Sequence, residues 1–210
     1  MNIILPGRLT FEAALALQEQ IVGRVQRGES DETLILLEHE PVYTIGRTRD
    51  RSSLREALPH PVFETNRGGQ ATYHGPGQLT GYPILDLNMR GRDLHHYLRF
   101  LEEYLIRFSA GFGVTAQRRE GLTGVWVGER KLASLGVGVR KWISMHGFAI
   151  NILASSTADF SSITPCGLTG VEMTSLERES GAPIDFKSAL HDAARLFQGM
   201  LPQLSPRPSA

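Results

Sequence analysis

The stretch GVWVGERKLASLGVGVRKWISMHGFAINI, residues 124–152, decides the fold. It contains three apolar runs, rich in Val, Ile and Leu, that are separated only by short polar or glycine-containing segments. Runs of this kind predict β-strands, here over residues 124–127, 132–139 and 143–152, joined by tight turns. Because such short connections join antiparallel neighbours, the stretch predicts a sheet built from hairpins and not a series of parallel strands with helical crossovers.

The segments on both sides of this stretch supply helices and further strands. Helices are predicted where apolar residues recur at helical spacing, over residues 10–27, from Asp93 to Gly111 or Gly113, and over residues 185–201. Further strands are predicted over residues 33–37, 62–65, 70–74 and 78–87, and Pro83 in the last of them favours an edge strand or a bulge.

The fold class that follows is α/β (α+β), a single domain over residues 1–201 with a mixed sheet and flanking helices. Residues 202–210 are rich in Pro and Ser and contain nothing to bury, so they are expected to form a disordered C-terminal tail.

Length, charge and cysteine content exclude several classes of protein. At about 150 residues per domain, 210 residues make one domain with enough chain for a core. The 22 Lys and Arg residues cancel the 22 Asp and Glu residues, which argues against a nucleic-acid binder. The single cysteine, Cys166, forms neither an intramolecular disulfide nor a Cys-rich zinc site. No apolar run approaches the roughly 18 residues of a membrane span and no export signal stands out, so a cytoplasmic protein without membrane association is expected.

Residues 67–78, RGGQATYHGPGQ, contain four glycines, an arginine and a histidine. Because glycine lets backbone approach a ligand closely, Gly68 and Gly69 are candidates to present backbone N–H groups to one, with His74 and Gln78 as side-chain contacts. The alternative is a hairpin turn followed by a loop. The segment matches neither of the glycine-rich nucleotide-binding motifs.

The strand over residues 132–139 begins next to Lys131. Strict alternation places Lys131 on the same face as Ala133, and Ser134 on the other face. One interpretation is that Lys131 lies among apolar neighbours, is partly desolvated and serves as a proton acceptor. The alternative is a lysine at the strand entrance that extends its amine to water. His146, inside the next apolar strand, is interpreted as a core histidine with its hydrogen bonds satisfied.

Cys166 lies in the polar segment of residues 161–168, between Pro165 and Gly167. A lone thiol is usually a small buried hydrophobic residue, but this setting also suits a thiol presented on a tight turn. Nucleophilic use needs the thiolate, which one nearby cation stabilises sufficiently. Lys131, His74 and His146 are the candidates for that cation, and spacing does not choose among them.

Taken together, these motifs resemble the octanoyltransferases of lipoate biosynthesis, also called lipoyl(octanoyl) transferases. The resemblance runs from about residue 38 to residue 176. Five motifs in the family's order carry it: EPVYTIGR from Glu40, RGGQATYHGPGQ from Arg67, KLASLG from Lys131, HGFAIN from His146 and PCG from Pro165.

The resemblance implies a fold similar to that of the lipoate and biotin protein ligases, with residues 1–201 as the catalytic domain. It implies that Cys166 forms an octanoyl thioester and that Lys131 is its partner. It also implies an acyl and lysine site, whose residues would be Arg67, Gly68, Gly69, Gln70, Ala71, Thr72, Tyr73, His74, Ser134, Leu135, Gly136, Gly147, Phe148 and Ala149.

The implied donor is octanoyl-acyl carrier protein. The implied acceptors are lipoyl domains of 2-oxoacid dehydrogenase complexes and the glycine cleavage H protein. No cofactor and no metal are implied. Since acyl carrier proteins are acidic, a basic docking surface is expected, and a run of four arginines is a candidate for it: Arg47, Arg49, Arg51 and Arg55.

Two other functions compete with this one. An ATP-dependent lipoate or biotin ligase would share the fold but would activate its acid as an adenylate, and the Gly-Arg-Gly-Arg loop of the biotin ligases is missing here. A non-catalytic acyl-binding or lipoyl-domain-binding module would need neither Cys166 nor Lys131.

Overall fold

The computed structural model describes residues 1–55, 57–164 and 171–205. The strands are β1 Asn2–Ile4, β2 Arg8–Leu9, β3 Thr33–His39, β4 Val42–Ile45, β5 Val62–Glu64, β6 Thr72–His74, β7 Gln78–Ile84, β8 Gln117–Arg119, β9 Leu122–Val127, β10 Arg130–Arg140 and β11 Ile143–Asn151. The helices are α1 Phe11–Gln26, α2 Leu94–Ala110, α3 Leu176–Ser180 and α4 Phe186–Met200. Short 3-10 helices span Leu87–Arg90, Ala154–Ser162 and Leu201–Gln203.

The described strands form a large sheet and a small one. The large sheet has the order β1-β3-β7-β11-β10-β9-β8, with β2 also paired to β3, and the small sheet has the order β5-β4-β6. Strands β1 and β2 run parallel to β3, and β4 runs parallel to β5, whereas the other pairs are antiparallel. The predicted mixed sheet with flanking helices is therefore confirmed, and so are the hairpins that join β9, β10 and β11.

Helices cover both faces of the large sheet. Along β3, Leu34 and Leu36 pack with α2 and α4, while Ile35 and Leu37 pack with α1. Successive side chains of a strand point to opposite faces, so α1 lies on the face away from α2 and α4. The small sheet adjoins α1, since the ring of Phe11 lies 5.5 Å from that of Phe63 in β5. This arrangement leaves a cleft between the two sheets.

Polar side chains begin the three long helices where the sequence predicts their start. Thr10 accepts a hydrogen bond from the N–H of residue 13, Asp93 from that of His96, and Asp185 from that of Ser188. Each such cap satisfies one N–H of the first turn. In the part of the chain that the structure describes, none of the helices combines the length and the apolar character that crossing a membrane requires.

Pro83 does not lie on an edge strand, which corrects one of the two predicted alternatives. It pairs with Leu34 within β7, an interior strand between β3 and β11. The ladder from β7 to β11 ends at Gly81, before Pro83, and on β11 the backbone of His146 is left-handed, with φ +56°. Because proline has no N–H to donate, it fits an interior strand at the point where the ladder is interrupted.

The first residues of the expected C-terminal tail belong to the fold. Leu204 is 2% exposed and packs in the core with α2 and α4. Nε2 of His96 on α2 hydrogen-bonds to the carbonyl of Ser205 at 3.2 Å. The sequence pattern does not reveal this packing, since a single leucine between two prolines has no periodicity. Residues 206–210 lie outside the described part of the chain.

Candidate active site

A cleft lies between the small sheet and the face of the large sheet that carries α1. It measures about 470 Å³, including space open to solvent. Strands β6, β7, β10 and β11, the loop before β6 and the first residue of α1 form its walls.

Most residues of the predicted acyl and lysine site meet in this cleft. They are Arg67, His74 and residues 69–72, 134–136 and 147–149. Two predicted residues do not line it. Gly68 donates its N–H to the carbonyl of Val137 at 2.9 Å, and Tyr73 packs its ring at 5.5 Å from that of Phe160 in the core of the small sheet. The motifs from three distant parts of the sequence thus form one surface.

The cleft also contains four residues that the sequence analysis did not assign to it: Phe11, Thr80, Tyr82 and His146. Thr80 and Tyr82 follow Gln78 by two and four residues along β7. Because side chains two residues apart in a strand lie on the same face, Gln78, already a candidate contact, would have indicated both. Phe11 begins a helix about thirty residues before the nearest motif, and nothing in its local sequence points to the cleft.

His146 faces the cleft because its backbone is left-handed, with φ +56°. Regular alternation would place it with Phe148 and Ile150, which pack in the α2 and α4 core. Gln18 on α1 accepts the N–H of His146 at 2.8 Å. The buried Nε2 of His146 has no hydrogen-bond partner among the described residues. The interpretation of His146 as a satisfied core histidine is therefore wrong.

Three buried histidines around the cleft are uncharged at neutral pH. Burial, followed by the nearby Arg67, lowers the pKa of His146 to about 4. Burial lowers the pKa of His39 to about 4, although the hydrogen bond to the Leu9 carbonyl raises it in part. Burial, followed by the nearby His39 and Arg67, holds the pKa of His74 well below its usual range. Within the described ranges, no three His, Cys, Asp or Glu side chains lie together in a way that could hold a metal ion.

Acidification from pH 7 to pH 5 is expected to destabilise the fold through these histidines. Their pKa values are lower in the folded protein than the value of about 6.5 that they regain on unfolding, so in this range the unfolded chain binds more protons. For His39 and His146, stability should fall from about pH 6.5 down to about pH 4. Each histidine contributes up to about 1.4 kcal/mol per pH unit of unfolding free energy.

Urea denaturation at pH 7, 6 and 5 measures this loss. His146→Gln should flatten the pH dependence of the midpoint, whereas His95→Gln, at an exposed position on α2, should leave it unchanged. A wild-type midpoint that does not move between pH 7 and pH 5 would contradict the expectation.

Arg67 fixes the glycine-rich loop against β4. Its Nη1 donates to the carbonyl of Gly68 at 2.9 Å, and its Nη2 donates to the carbonyl and the hydroxyl of Thr44 at 2.7 and 2.8 Å. The opposite wall leaves room for the side chain, because a Cβ at Gly136 would lie 2.9 Å from Cδ of Arg67. Arg67 thereby shapes the cleft from within its wall.

A β-bulge in β10 decides the direction of Lys131. Lys131 pairs with Trp126 and Ala133 pairs with Val125, so β10 has one residue more than β9 at this point. Opposite residues of an antiparallel pair share a face, and Val125 and Ala133 belong to the α2 and α4 core. Lys131 therefore points away from that core, to the cleft face with Ser134. The predicted shared face of Lys131 and Ala133 is wrong because alternation does not continue through a bulge.

The side chain of Lys131 is buried and does not reach water, since the residue is 1% exposed. Its Nζ lies 5.3 Å from the centre of the Trp126 ring, a cation–π contact. A Cβ at Gly124 would lie 2.9 Å from Cε of Lys131, so glycine at this position leaves room for the lysine. Glu102 on α2 accepts the N–H of Gly124 at 3.2 Å and so ties this part of β9 to the helix.

Cys166, the predicted nucleophile, lies outside the described residues. The chain on either side of residues 165–170 is held at both ends. The N–H of Thr164 donates to the carbonyl of Ser53 at 2.7 Å, and Met173 forms a parallel bridge with Lys131. The N–H of Lys131 also donates to the carbonyl of Glu172 at 2.8 Å.

Solved structures with the same fold are lipoate and biotin protein ligases. A lipoate-protein ligase A bound with ATP covers 99% of this chain, and this chain covers 87% of it, at 14% identity and a TM-score of 0.76. A bi-partite lipoate protein ligase from Thermoplasma acidophilum, described with its E2 lipoyl domain, has a TM-score of 0.74 at 18% identity over 96% of this chain and 84% of that one. A biotin protein ligase from Aquifex aeolicus has a TM-score of 0.56 at 13% identity, over 97% and 69%. The fold that the resemblance implies is confirmed.

Relatives found by sequence have a higher identity to this chain than these structures have. The chain is 52% identical to an octanoyltransferase of Geobacter metallireducens, over 95% of this chain and 93% of that protein. It is also 52% identical to an octanoyltransferase of Geobacter sulfurreducens, over 95% and 84%. Residues 10–198 match the family described as the lipoyl protein ligase A/B catalytic domain. The chain therefore belongs to this family and, within it, to the octanoyltransferases, which are acyltransferases of lipoate biosynthesis.

Proposed function

We propose that this protein transfers an octanoyl group from octanoyl-acyl carrier protein to a lysine amine of lipoyl domains through a thioester on Cys166. The observation that carries the proposal is the bridge between Met173 and Lys131 at the cleft face of β10. Met173 follows Cys166 by seven positions, so the chain that leaves the thiol pairs with the strand that bears the buried amine. The membership of the octanoyltransferases supports the same reaction.

In the first step, Cys166 takes the acyl group from the carrier. The ammonium of Lys131 stabilises the Cys166 thiolate, which attacks the carbonyl carbon of the octanoyl thioester. A new C–S bond forms, the bond to the carrier sulfur breaks, and the departing carrier thiolate takes a proton from Lys131. The products are the octanoyl-enzyme thioester, the carrier thiol and a neutral amine on Lys131.

In the second step, the acceptor lysine takes the acyl group from Cys166. Its neutral amine attacks the thioester carbonyl, the C–N bond forms and the bond to the Cys166 sulfur breaks. The proton that the acceptor nitrogen loses passes to the amine of Lys131, which restores the ammonium beside the released thiolate. The two steps together consume one thioester and produce one amide.

The cleft suits an alkyl chain. Its walls include backbone at Gly69, Gly136 and Gly147 and the small side chains of Ala71 and Ala149. Burying about seven methylene-type carbons contributes up to about 5 kcal/mol, at roughly 0.8 kcal/mol per CH₂.

One apolar residue of the predicted acyl site points its ring elsewhere. Phe148 packs its ring 5.3 Å from that of Tyr104 on α2 and lines the cleft without directing its ring there.

We propose as acceptors the lipoyl domains of 2-oxoacid dehydrogenase complexes and the glycine cleavage H protein. One structural neighbour is described with its E2 lipoyl domain, which supports an acceptor of this kind.

The exposed arginines over residues 47–55 are the proposed surface for the acidic carrier. Arg49 and Arg51 pair with Glu64, whereas the other two have no ion pair among the described residues. The run adjoins the main chain of residues 162–164, which leads to Cys166.

The test is transfer in the absence of ATP. The protein is incubated with octanoyl-acyl carrier protein and a lipoyl domain, and both proteins are weighed intact by mass spectrometry. A lipoyl domain heavier by one octanoyl group, with the same adduct on the enzyme before the acceptor is added, is the expected result. Modification that needs ATP and free octanoate would instead identify a ligase. Binding of the acyl carrier without transfer would identify an acyl-binding module.

A further inference from the structure

A row of buried hydrogen bonds begins at the cleft wall. The hydroxyl of Thr44 donates to Nε2 of His74 at 3.4 Å, and Nδ1 of His74 donates to Oε1 of Gln78 at 2.8 Å. Since burial lowers the pKa of His74 well below its usual range, the imidazole carries a single N–H. The Gln78 amide is oriented by Nε2, which donates to the carbonyl of Tyr73 at 3.1 Å and to Oδ1 of Asn151 at 3.0 Å.

The row continues from the large sheet to the main chain beside Lys131. Nδ2 of Asn151 donates to the carbonyl of Thr174 at 2.9 Å, and the N–H of Thr174 donates to the carbonyl of Lys131 at 2.9 Å. Gln78 and Asn151 are direct partners across β7 and β11. Both are 1% exposed, so water does not replace a lost bond at either amide without a change in structure.

The last member of the row has a second, independent support. The hydroxyl of Thr174 donates to Oε1 of Glu179 at 2.5 Å, and Glu179 receives two bonds from the guanidinium of Arg130 at 2.8 and 2.9 Å. Loss of the Asn151 amide therefore leaves Thr174 attached to β10 from one side. The hydrogen bond that is lost is the one that fixes the distance of Thr174 from the cleft wall.

We propose that Gln78 and Asn151 are positioning residues for acyl transfer: they fix Thr174, and through it the main chain at Lys131, relative to the cleft wall at His74. The inference rests on the proposed function, in which the amine of Lys131 serves the thiol of Cys166. A group that exchanges protons during the reaction must stay within hydrogen-bond reach of its partners, and a displacement of about 1 Å costs up to about 10²-fold in rate.

Two substitutions at one position separate the contacts. Asn151→Leu has a similar size and removes both bonds. Asn151→Asp keeps an acceptor for Gln78 but turns an oxygen toward the carbonyl of Thr174, and only a protonated carboxyl donates there. The rate of Asn151→Asp relative to the wild type should therefore rise as the pH falls, whereas the relative rate of Asn151→Leu should stay low at every pH.

The expected size follows from the displacement of the main chain at Lys131. Because a displacement of about 1 Å costs up to about 10²-fold in rate, kcat of Asn151→Leu should fall about 10- to 100-fold, with KM for the octanoyl carrier within about twofold of the wild type. The rate of Cys166 alkylation by iodoacetamide, measured against pH, should shift in both variants. This second measurement needs no acyl substrate.

Ser144→Ala is the matched control. The Ser144 hydroxyl is buried between the same two strands, donates to the carbonyl of Pro83 at 2.7 Å and accepts from the N–H of Leu85 at 2.9 Å, but it is not part of the row. It should lower the unfolding midpoint and leave kcat and the alkylation profile of Cys166 unchanged.

Three outcomes would overturn the positioning role. They are an unchanged kcat in both Asn151 variants, a relative rate of Asn151→Asp that does not depend on pH, and a fall in kcat of Ser144→Ala equal to that of Asn151→Leu. If Asn151→Leu does not fold, the pH dependence of the relative rate of Asn151→Asp tests the positioning role by itself. A wild-type protein that forms no octanoyl adduct would refute the proposed function instead, and this readout is independent of every variant.

Discussion

Cys166→Ala is expected to abolish the octanoyl adduct on the enzyme and to lower ATP-independent transfer by at least about 10³-fold. Without the thiol, the acceptor amine must attack the carrier thioester directly, and the reaction loses the step in which a positioned thiolate takes the acyl group. Because Cys166 is the single cysteine of the chain, the adduct needs no mapping: intact mass and sensitivity to hydroxylamine identify a thioester there.

Cys166→Ser supplies the control for this experiment. A hydroxyl is close in size to the thiol but far less acidic, so the variant should fold like the wild type and acylate very slowly. Transfer by Cys166→Ala at a rate near that of the wild type would sink the thioester route, whatever the serine variant does.

Lys131→Ala is expected to slow acylation of Cys166 by about 10²- to 10⁴-fold, the range of a lost general acid or base. It should also shift the alkylation of Cys166 by iodoacetamide to higher pH, because the thiolate loses the cation that stabilises it. Since Lys131 is 1% exposed, alanine leaves a cavity, and Lys131→Met tests the loss of charge with most of the volume kept.

Lys187→Met, at an exposed position on α4, is the matched substitution away from the cleft. It should change neither the rate nor the alkylation profile. An alkylation profile of Lys131→Met that coincides with that of the wild type would remove Lys131 from its role as partner of the thiol.

Local patterns in the sequence predict most of the fold. The hairpins of β9, β10 and β11 follow from apolar runs with tight turns between them, and the three long helices follow from apolar residues at helical spacing. Pro83 was harder to place, because a proline in an interior strand depends on an interruption in the neighbouring strand. That neighbour, β11, lies about sixty residues away in the sequence.

The sequence predicted the cleft residues that belong to its motifs. It did not predict the residues that only the tertiary structure brings to the cleft. The glycine-rich loop, β10 and β11 meet as the resemblance implies, whereas Phe11 reaches the cleft because α1 crosses the sheet beside it. His146 faces the cleft through a left-handed backbone that alternation does not anticipate. His146 and Lys131 were misplaced for the same physical reason: the sequence pattern of a strand predicts which face a side chain takes only while the backbone and its pairing stay regular.

The bulge in β10 shows that a single extra residue decides on which face of a sheet a functional side chain lies. One extra residue between Lys131 and Ala133 leaves the downstream pairing with β11 in register and sets the two side chains on opposite faces, whereas strict alternation would place both on the face of α2 and α4. Deleting Leu132 would restore regular pairing and leave Lys131 opposite Trp126, on the face away from Ala133. One further residue in β9 between Val125 and Trp126 would instead give Leu132 a partner and carry position 131 to the face of α2 and α4. In comparisons among related chains, the face on which the amine lies therefore depends on how many residues β9 and β10 each have at this point, and not on position 131 alone.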